Sequence, residues 1–532
     1  MKPSKNPIVK YALIAGALLQ FVPAWPQVAP QDGRNWTTYS GNYAGWRYSS
    51  LDQINTANVQ NLVPQWVFQS GDLGKFETTP IVVDGIMYGT AQNDRSFALD
   101  ARTGKAIWRA ERRLPPNIRA CCGNVNRGFA IQGNKLFMAT LDAHVIAMDT
   151  RTGNILWDTK AAEYSEGYSF TLAPLLVKDK IIVGVSGGEF PIRGFIDAYD
   201  TATGKRVWRF YTIPGPEEPG HSSWSPDSWK VGGAPAWVTG SYDPELNLLY
   251  WGTGNPAPSN YGGQRDGDNL YSNSVVALDA DSGKLKWHFQ FTPHDLFDYD
   301  STQTPLLIDA QWKGQPRKLL LQANRNTFFY VLDRVTGQFL LAKPFASQNW
   351  AKEIGPDGRP VPNPGTVPGK DGTTICPGWA GGVNWNPSSY SPQTRLFYVN
   401  AREEFCTIFG GNPEAPVAGR YFYGSTFGTP TGQKDWGALR AIDPLTGAIK
   451  WEFKMYSAGW GGVLSTAGGL VFTGDNEGNL MAFDAATGKH LWHFQMGSPV
   501  FAAPMSYSLN GKQYLIIPAG SALFAFGLPG AN

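Results

Sequence analysis

The stretch ALDARTGKAIW at Ala98–Trp108 decides the fold, because six related stretches follow it along the chain. In each copy an apolar run ends at an aspartate, Thr-Gly or Ser-Gly follows, and a second run ends on a large apolar residue. This pattern predicts a strand, a tight turn and a second strand in every copy. The other copies are Ala147–Trp157, Ala198–Trp208, Ala277–Trp287, Val331–Leu341, Ala441–Trp451 and Ala482–Trp492.

The spacing of these copies predicts the architecture. The motif aspartates Asp100, Asp149 and Asp200 lie 49 and 51 residues apart. A period near 50 residues that contains only strands is typical of a β-propeller with one four-stranded sheet per blade. Seven copies predict seven blades, and the longer interval from Asp333 to Asp443 predicts one blade plus insertions over roughly 343–382 and 404–436.

An eighth blade is predicted from the two ends of the chain. Ser521–Leu528 would supply an inner-side strand, and Leu62–Phe68 would supply the outer strand with Trp66. Pairing the ends closes the ring and removes exposed sheet edges. The fold class is therefore an all-β, eight-bladed propeller, in which the motif aspartates and threonines bond within their turns and the tryptophans pack between blades.

The N-terminus predicts export. Three lysines precede an apolar run over 11–22, and small residues follow it. This order is typical of a secretory signal peptide, here 1–24 with cleavage as late as 29. The run is shorter than the about 20 apolar residues of a membrane span, although a retained anchor is the alternative. We expect a single periplasmic domain over 25–532, with no membrane span, in a compartment that permits disulfides.

The composition excludes one class of partner. The formal net charge is +2 and only 17% of residues are charged, so no basic surface for nucleic acid is indicated. The 61 glycines, 20 tryptophans and 22 tyrosines favour an all-β protein with many tight turns.

Four stretches depart from the repeat and carry polar groups. They are IRACCGNVNRG with Cys121 beside Cys122, GVSGGEFPIRG with Glu189, WGTGNPAPSN with Asn255, and TPHDLFDYDST with Asp295, Asp298 and Asp300. Clustered oxygen donors of Asp, Glu and Asn suit a hard cation such as Ca²⁺. Each stretch taken singly is also compatible with a solvated turn.

Taken together, these stretches resemble the pyrroloquinoline quinone (PQQ)-dependent alcohol dehydrogenases, which are exported quinoproteins built on eight-bladed propellers. The resemblance covers essentially the whole mature chain. Its most specific mark is the pair of neighbouring cysteines, since the repeat also occurs in propellers that are not enzymes. It implies a disulfide between Cys121 and Cys122 over one face of PQQ, Trp237 stacked on the other face, and a structural disulfide between Cys376 and Cys406. Two reduced thiols at Cys121 and Cys122 are the alternative.

The resemblance also implies a set of cofactor contacts. PQQ carries three carboxylates and quinone oxygens, so its site needs cations and hydrogen-bond donors. Arg127 would bind a carboxylate and Arg325 would lie near the quinone oxygens. The full implied set is Glu77, Cys121, Cys122, Arg127, Thr171, Ser186, Gly187, Gly188, Trp237, Arg325, Asn384 and Trp460.

The implied metal ligands are Glu189, Asn255, Asp298 and Asp300, and Asp298 is also the implied base. In the family the base takes the alcohol's proton while a hydride moves to C5 of PQQ, next to the metal. An aspartate two positions after the base, here Asp300, is typical of the lanthanide-dependent members. A lanthanide(III) is therefore favoured, with Ca²⁺ as the alternative. The other interpretation is that Asp300 only caps its loop.

The sequence also bears on the substrate and on the partners. Methanol-type members carry PHDEWD, and a tryptophan at the position of Ser259. This chain has Leu296, Phe297 and Ser259 instead. The larger space favours a larger primary alcohol, including aromatic ones, oxidised to its aldehyde. No CxxCH haem motif occurs, so a separate soluble cytochrome c or similar carrier is the expected electron acceptor. The oligomeric state is left open, and a homodimer is one alternative.

Two other functions agree less well with the sequence. A non-catalytic propeller scaffold of the outer-membrane assembly type would need a lipidated cysteine at its signal cleavage site, and no cysteine precedes Cys121. A membrane-bound quinoprotein for sugars or polyols would carry several N-terminal membrane helices and usually lacks neighbouring cysteines. The sequence favours the alcohol dehydrogenase over both.

Overall fold

The computed structural model describes Met1 and residues 33–72, 74–116 and 118–530. The predicted signal peptide, apart from Met1, and its alternative cleavage site lie outside the described residues. Strands dominate the described part of the chain. Among these residues, no helix combines the length and the apolar character that crossing a membrane requires.

Eight sheets of the described chain contain four antiparallel strands each. The repeat supplies the third and fourth strands of seven of them. The first four sheets contain, in order, Ile81–Val83, Ile86–Thr90, Arg95–Asp100 and Ala106–Glu111; Ala130–Gln132, Lys135–Ala139, His144–Asp149 and Ile155–Lys160; Leu175–Val177, Lys180–Gly184, Phe195–Asp200 and Arg206–Tyr211; and Ser241–Asp243, Leu248–Gly252, Ser274–Asp279 and Leu285–Gln290.

The remaining sheets follow the same plan. The fifth to eighth contain Leu306–Trp312, Gln315–Ala323, Phe328–Asp333 and Phe339–Pro344; Ser389–Ser391, Leu396–Glu403, Trp436–Ile442 and Ile449–Met455; Val463–Thr466, Leu470–Gly474, Asn479–Asp484 and His490–Gln495; and Met505–Leu509, Lys512–Ala519, Ala522–Gly527 and Val63–Gln69. Tyr48–Ser49 adds a parallel strand to the seventh sheet.

The predicted insertions form two further small sheets and irregular loops. These sheets contain Ala351–Ile354 with Pro360–Pro362, and Thr373–Ile375 with Thr407–Gly411 and Ser425–Gly428. Short 3₁₀ turns occur at Val59–Asn61, Gln92–Asp94, Tyr164–Glu166, His221–Ser223, Ser228–Val231 and Gly262–Gln264.

The repeated turn is held by its own aspartate. In the second sheet Asp149 Oδ1 accepts the backbone N–H groups of Arg151, at 2.9 Å, and Thr152, at 3.0 Å. Gly153 follows with a φ of +74°, a conformation that glycine adopts without strain. The turn is therefore satisfied locally, as its sequence predicts.

The tryptophans join neighbouring sheets. Trp157 of the second sheet covers Gly204 in the turn of the third, where an added Cβ would lie 2.6 Å from the indole ring. Its indole N–H donates to the carbonyl of Thr201 at 3.3 Å. The same docking joins Trp108 to Gly153, Trp208 to Gly283, Trp287 to Gly337 and Trp451 to Gly488.

These contacts close into a ring. Leu341 and Lys343 lie against Gly447 where the fifth sheet meets the sixth, and Trp492 of the seventh sheet meets Phe526 of the eighth edge to face. Trp66 of the eighth sheet then covers Gly104 of the first. Val63–Gln69 pairs antiparallel with Ala522–Gly527, as predicted for the strands that close the propeller.

Candidate active site

One cavity of about 210 Å³ is lined by residues from three of the four polar departures from the repeat. Its walls come mainly from loops that follow or precede the strands, such as Ser186–Glu189 after Lys180–Gly184. All the predicted cofactor contacts except Gly188 line it, together with Glu189 and Asp298. The lining residues are Lys75, Glu77, Cys121, Cys122, Val125, Arg127, Thr171, Ser186, Gly187, Glu189, Trp237, Asp298, Arg325, Trp379, Asn384, Trp385 and Trp460.

The four cysteines pair as predicted. Cys121 is bonded to Cys122 and Cys376 to Cys406. The first pair lines the cavity, and a carboxylate oxygen of Glu189 lies within 4.8 Å of both of its sulfurs. The adjacent cysteines therefore stand at the cavity and beside a predicted metal ligand.

Arg127 is held by a buried ion pair. Its Nη2 lies 2.6 Å from Glu77 Oε2, and its Nη1 donates to the carbonyl of Thr171 at 3.1 Å. The guanidinium also lies over the rings of Trp237 and Trp385, at 5.0 and 4.5 Å from their centroids. Both charged side chains are almost fully buried, so the pair fixes a positive group in the cavity wall.

Arg325 joins the two aspartates of the Asp-Tyr-Asp motif. Its Nη1 lies 3.2 Å from Asp298 Oδ2, and its Nη2 lies 3.1 Å from Asp300 Oδ2. The Nη2 also donates to the side-chain oxygen of Asn384 at 3.1 Å. Asp298 keeps 20% of its side-chain surface exposed, whereas Asp300 keeps 3%. Of the two carboxylates, Asp298 is the one that a cavity ligand can reach.

Asp300 and Asn255 lie behind the cavity wall. Asp300 Oδ1 accepts the backbone N–H of Asn255 at 2.6 Å, and its Oδ2 accepts the indole N–H of Trp237 at 2.9 Å. The side-chain amide of Asn255 donates to the carbonyl of Gly188 at 3.2 Å. Gly254 permits this approach, because an added Cβ would overlap Asp300 Oδ1. The residues predicted as metal ligands are thus connected through short contacts.

Two carboxylates of the site, Glu189 and Asp298, have raised pKa values. Burial, and then the charge of Asp300, raise the pKa of Glu189 to about 7. Burial also raises the pKa of Asp298 well above its usual range; Arg325 opposes this, while Asp300 and Glu189 add to it. Three carboxylates around one arginine leave an excess of negative charge, which a multivalent cation would balance.

The residues present fit both a metal and an anionic cofactor. Among the described residues, Asn255 Oδ1 and the Nε atoms of Arg127 and Arg325 are buried without a hydrogen-bond partner. Oxygen atoms of Glu189, Asn255, Asp298 and Asp300 are the donor set that a hard cation prefers. The arginine donors and the tryptophan rings suit a planar molecule with carboxylates.

Sequence reasoning missed several residues of this cavity. Lys75 donates from Nζ to the carbonyl of Cys122 at 3.3 Å, and Trp379, Trp385 and Val125 also line the walls. A usable signal existed for the two tryptophans, since both flank the predicted Asn384 in PGWAGGVNW, outside the repeats.

The chain matches a known family along most of its length. The family profile described as glucose/ethanol/alcohol dehydrogenase, beta-propeller domain, of the PQQ type, matches residues 36–343 and 412–515. The chain belongs to this family of PQQ-dependent dehydrogenases.

Individual relatives agree with this assignment. The chain is 40% identical to the quinoprotein alcohol dehydrogenase PedH of Pseudomonas putida, over 97% of this chain and 92% of the relative. It is 39% identical to the lanthanide-dependent methanol dehydrogenase of Methylacidiphilum fumariolicum, over 91% of this chain and 84% of the relative. A solved europium-containing methanol dehydrogenase superposes with a TM-score of 0.88 at 36% identity, over 94% of this chain and 99% of that chain.

Proposed function

We propose that this protein is a periplasmic PQQ-dependent alcohol dehydrogenase that oxidises primary alcohols to aldehydes, with Asp298 as its base. The observation that carries the proposal is the single cavity lined by the bonded Cys121–Cys122 pair, Arg127, Trp237 and Asp298. Relatives named as alcohol, ethanol and methanol dehydrogenases support the same reaction.

In this proposal the cavity residues hold PQQ in place. Arg127, already fixed by Glu77, would bind one of its carboxylates, and Trp237 and the disulfide would enclose its flat ring. When bound, PQQ with its metal supplies the electrophilic carbonyl carbon that accepts a hydride from the alcohol. We propose the remaining cofactor contacts because the family resemblance implies them and because all but Gly188 line the cavity. They are Thr171, Ser186, Gly187, Gly188, Asn384 and Trp460.

Asp298 would take the hydroxyl proton of the alcohol on a carboxylate oxygen. It is the more accessible of the two motif aspartates, and Arg325 lies 3.2 Å from its Oδ2. A cation beside it and the arginine would both favour the ionised form that accepts a proton. Burial acts in the opposite direction, because it raises the pKa of this carboxyl.

The proposed metal is a lanthanide(III), with Ca²⁺ as the alternative. Glu189, Asn255, Asp298 and Asp300 would be its protein ligands. The third carboxylate, Asp300, favours the trivalent ion because its added negative charge is better compensated there. Its contacts with Asn255, Trp237 and Arg325 keep open a second role as a loop anchor.

The proposed substrate is a larger primary alcohol, including aromatic ones. Ser259 is buried and does not itself line the cavity. It lies near the base loop, since the neighbouring Asn260 donates from its side chain to the carbonyl of Leu296 at 3.0 Å. In the inserted segment, Tyr421 stacks on Phe190, next to Glu189, with 4.9 Å between ring centroids.

We also propose an electron acceptor, an oligomeric state and a cleavage site for this protein. A soluble cytochrome c or similar carrier would accept the electrons, and a homodimer would be compatible with the fold. The signal peptide would be cleaved after 24, or as late as 29, to release one domain over 25–532. A scaffold function is less favoured, because the cavity concentrates titratable groups around one base. A sugar or polyol substrate is less favoured, because the relatives are named as alcohol, ethanol and methanol dehydrogenases.

The proposal is tested by loading purified protein with PQQ and either La³⁺ or Ca²⁺, then measuring dye-linked oxidation of short, long and aromatic primary alcohols. The expected result is one PQQ per chain and alcohol oxidation with at least one metal. Folded protein that shows no quinone absorption band after loading would refute the enzyme.

Two variants separate the roles of Asp300. Asp300→Asn removes its charge but keeps an oxygen that can accept the N–H of Asn255. We expect Asp300→Asn and Asp300→Ala to abolish La³⁺-supported activity, while Ca²⁺-supported activity survives in Asp300→Asn. Equal losses with both metals in Asp300→Asn would refute the metal-selecting role.

A further inference from the structure

The loop that carries Asp298 lacks the support of a β-ladder. It lies between the strands Leu285–Gln290 and Leu306–Trp312, and strand pairing does not extend into it. Asp298 itself has a φ of +64°, in the left-handed region that residues other than glycine rarely adopt. Such a conformation persists only where surrounding contacts hold it.

Asp295 supplies those contacts. Its Oδ1 accepts the backbone N–H of Phe297 at 3.0 Å, and its Oδ2 accepts the backbone N–H of Tyr299 at 2.8 Å. These are the residues on either side of Asp298. One buried carboxylate thus fixes the backbone both before and after the proposed base, while its own side chain stays outside the cavity wall.

Two further buried side chains hold Asp295 in turn. The side-chain amide of Asn273 donates to Asp295 Oδ2 at 3.1 Å and to the carbonyl of Tyr299 at 2.7 Å. Arg265, which is fully buried, donates to the carbonyls of Asp295 and Pro258. The base loop is therefore tied to the chain segment that carries Asn255 and Ser259.

We propose that Asp295 is a positioning residue that sets the orientation of Asp298 for proton transfer. The inference rests on the proposed alcohol dehydrogenase function. Both oxygens of Asp295 accept N–H groups of its own loop, and its side chain lies outside the cavity wall. Glu189 lines the cavity instead, and Arg325 joins Asp300 to Asp298. Its loss would misplace the base without removing a ligand of the cofactor or the metal.

The test is Asp295→Asn in the enzyme loaded with PQQ and metal. The amide has the same shape, but its nitrogen cannot accept one of the two N–H groups. We expect kcat to fall roughly 10- to 100-fold, because small misplacements of a reacting group have effects of this size. PQQ content, metal content and KM should stay near those of the wild type, and Asp295→Ala, which loses both acceptors, should be slower still.

The matched control is Asp149→Asn. Asp149 also accepts two backbone N–H groups, in the repeated turn of the second sheet, but both bond to Oδ1, which the amide retains. This variant should therefore leave kcat unchanged. If Asp295→Asn does not fold, Asn273→Ser removes the tie to Tyr299 and should lower kcat by itself.

The outcomes are separable. A wild type without alcohol oxidation would refute the proposed function, and the inference with it. An active wild type with an unchanged kcat in Asp295→Asn, or in Asn273→Ser where that variant is needed, would overturn the inference alone. A kcat loss that is fully explained by missing PQQ or metal would also overturn it, because Asp295 would then act in binding.

Discussion

The repeated turns and the base loop use the same interaction in different surroundings. In the third sheet Asp200 Oδ1 accepts the backbone N–H groups of Ala202 and Thr203, and the turn is exposed to solvent. Asp295 also accepts two backbone N–H groups, one on each carboxylate oxygen, but it is 1% exposed and enclosed by Asn273 and Arg265. The turn depends on a few neighbouring residues, whereas the loop depends on side chains from other segments.

This difference separates stability from catalysis. A change in one repeated turn removes a small local contribution to folding, since the other turns are unaffected. A change in the base loop moves a reacting group, and its effect should appear in turnover before it appears in the melting temperature. Substitutions in each region can therefore confirm or contradict the separation.

The largest effect is expected for Asp298→Asn. An amide cannot take the hydroxyl proton, and removal of a general base commonly lowers kcat about 10²- to 10⁴-fold. PQQ should remain bound, which its absorption band would report. The control is Asp484→Asn in the repeated turn of the seventh sheet, where turnover should not change. Near-normal turnover in Asp298→Asn would show that the base is another group.

The two disulfides should show the same separation between an effect on stability and an effect on turnover. Replacing Cys376 and Cys406 by alanine opens a loop of 30 residues and should cost about 3 to 4 kcal/mol of unfolding free energy. Replacing Cys121 and Cys122 by alanine releases almost no loop entropy, so turnover should fall more than stability. Denaturant unfolding and dye-linked assays of both double variants measure this. A Cys121 and Cys122 variant that loses stability but keeps its turnover would contradict this separation.

A smaller effect is expected where a tryptophan docks on a turn. Gly204→Ala would place a Cβ 2.6 Å from the ring of Trp157, and overpacking of this kind typically costs about 1 to 3 kcal/mol. The control is Gly133→Ala, since Gly133 also has a positive φ but no heavy atom within 4 Å of the added Cβ. The difference in unfolding free energy between the two variants isolates the docking contact. Equal losses would mean that backbone strain alone explains both.

The smallest effect is expected for Asp200→Ala. The variant loses the side-chain acceptor of one exposed turn, and a hydrogen bond of this kind contributes about 0.5 to 1.5 kcal/mol. The melting temperature should fall slightly, and kcat per folded molecule should stay unchanged. A measurable loss of kcat would show that the outer turns are coupled to the cavity.

Much of the fold could be predicted because its signal repeats. The motif from Ala98 to Trp108 contains its own turn, its own capping aspartate and the tryptophan that joins the next sheet, so one copy reveals the role of the others. The closing strand was predictable for the same reason, since Trp66 fills the place of a repeat tryptophan.

The site could be predicted only in part. The resemblance supplied most residues of the cavity wall, but it supplied none of the contacts that hold them. Asp295 appeared in the sequence as one member of an acidic cluster, and its partner Asn273 lies 22 positions away with no motif around it. Tyr299 donates to the carbonyl of Pro377 across 78 positions. Such pairings depend on how loops from different sheets meet, which periodicity does not encode.

The closing of the ring by the two ends of the chain has a consequence for biosynthesis. Ser70, just after the outer strand of the eighth sheet, bonds to Ser521, 451 positions later. At about 5 to 20 residues per second, translation alone separates these two residues by roughly half a minute to a minute and a half. During that time Val63–Gln69 has no partner, and an unpaired strand edge invites association with other chains. A chain that is cut short before Ala522–Gly527 would keep this edge permanently, so proteases and chaperones would recognise an incomplete molecule by its unpaired Val63–Gln69 strand.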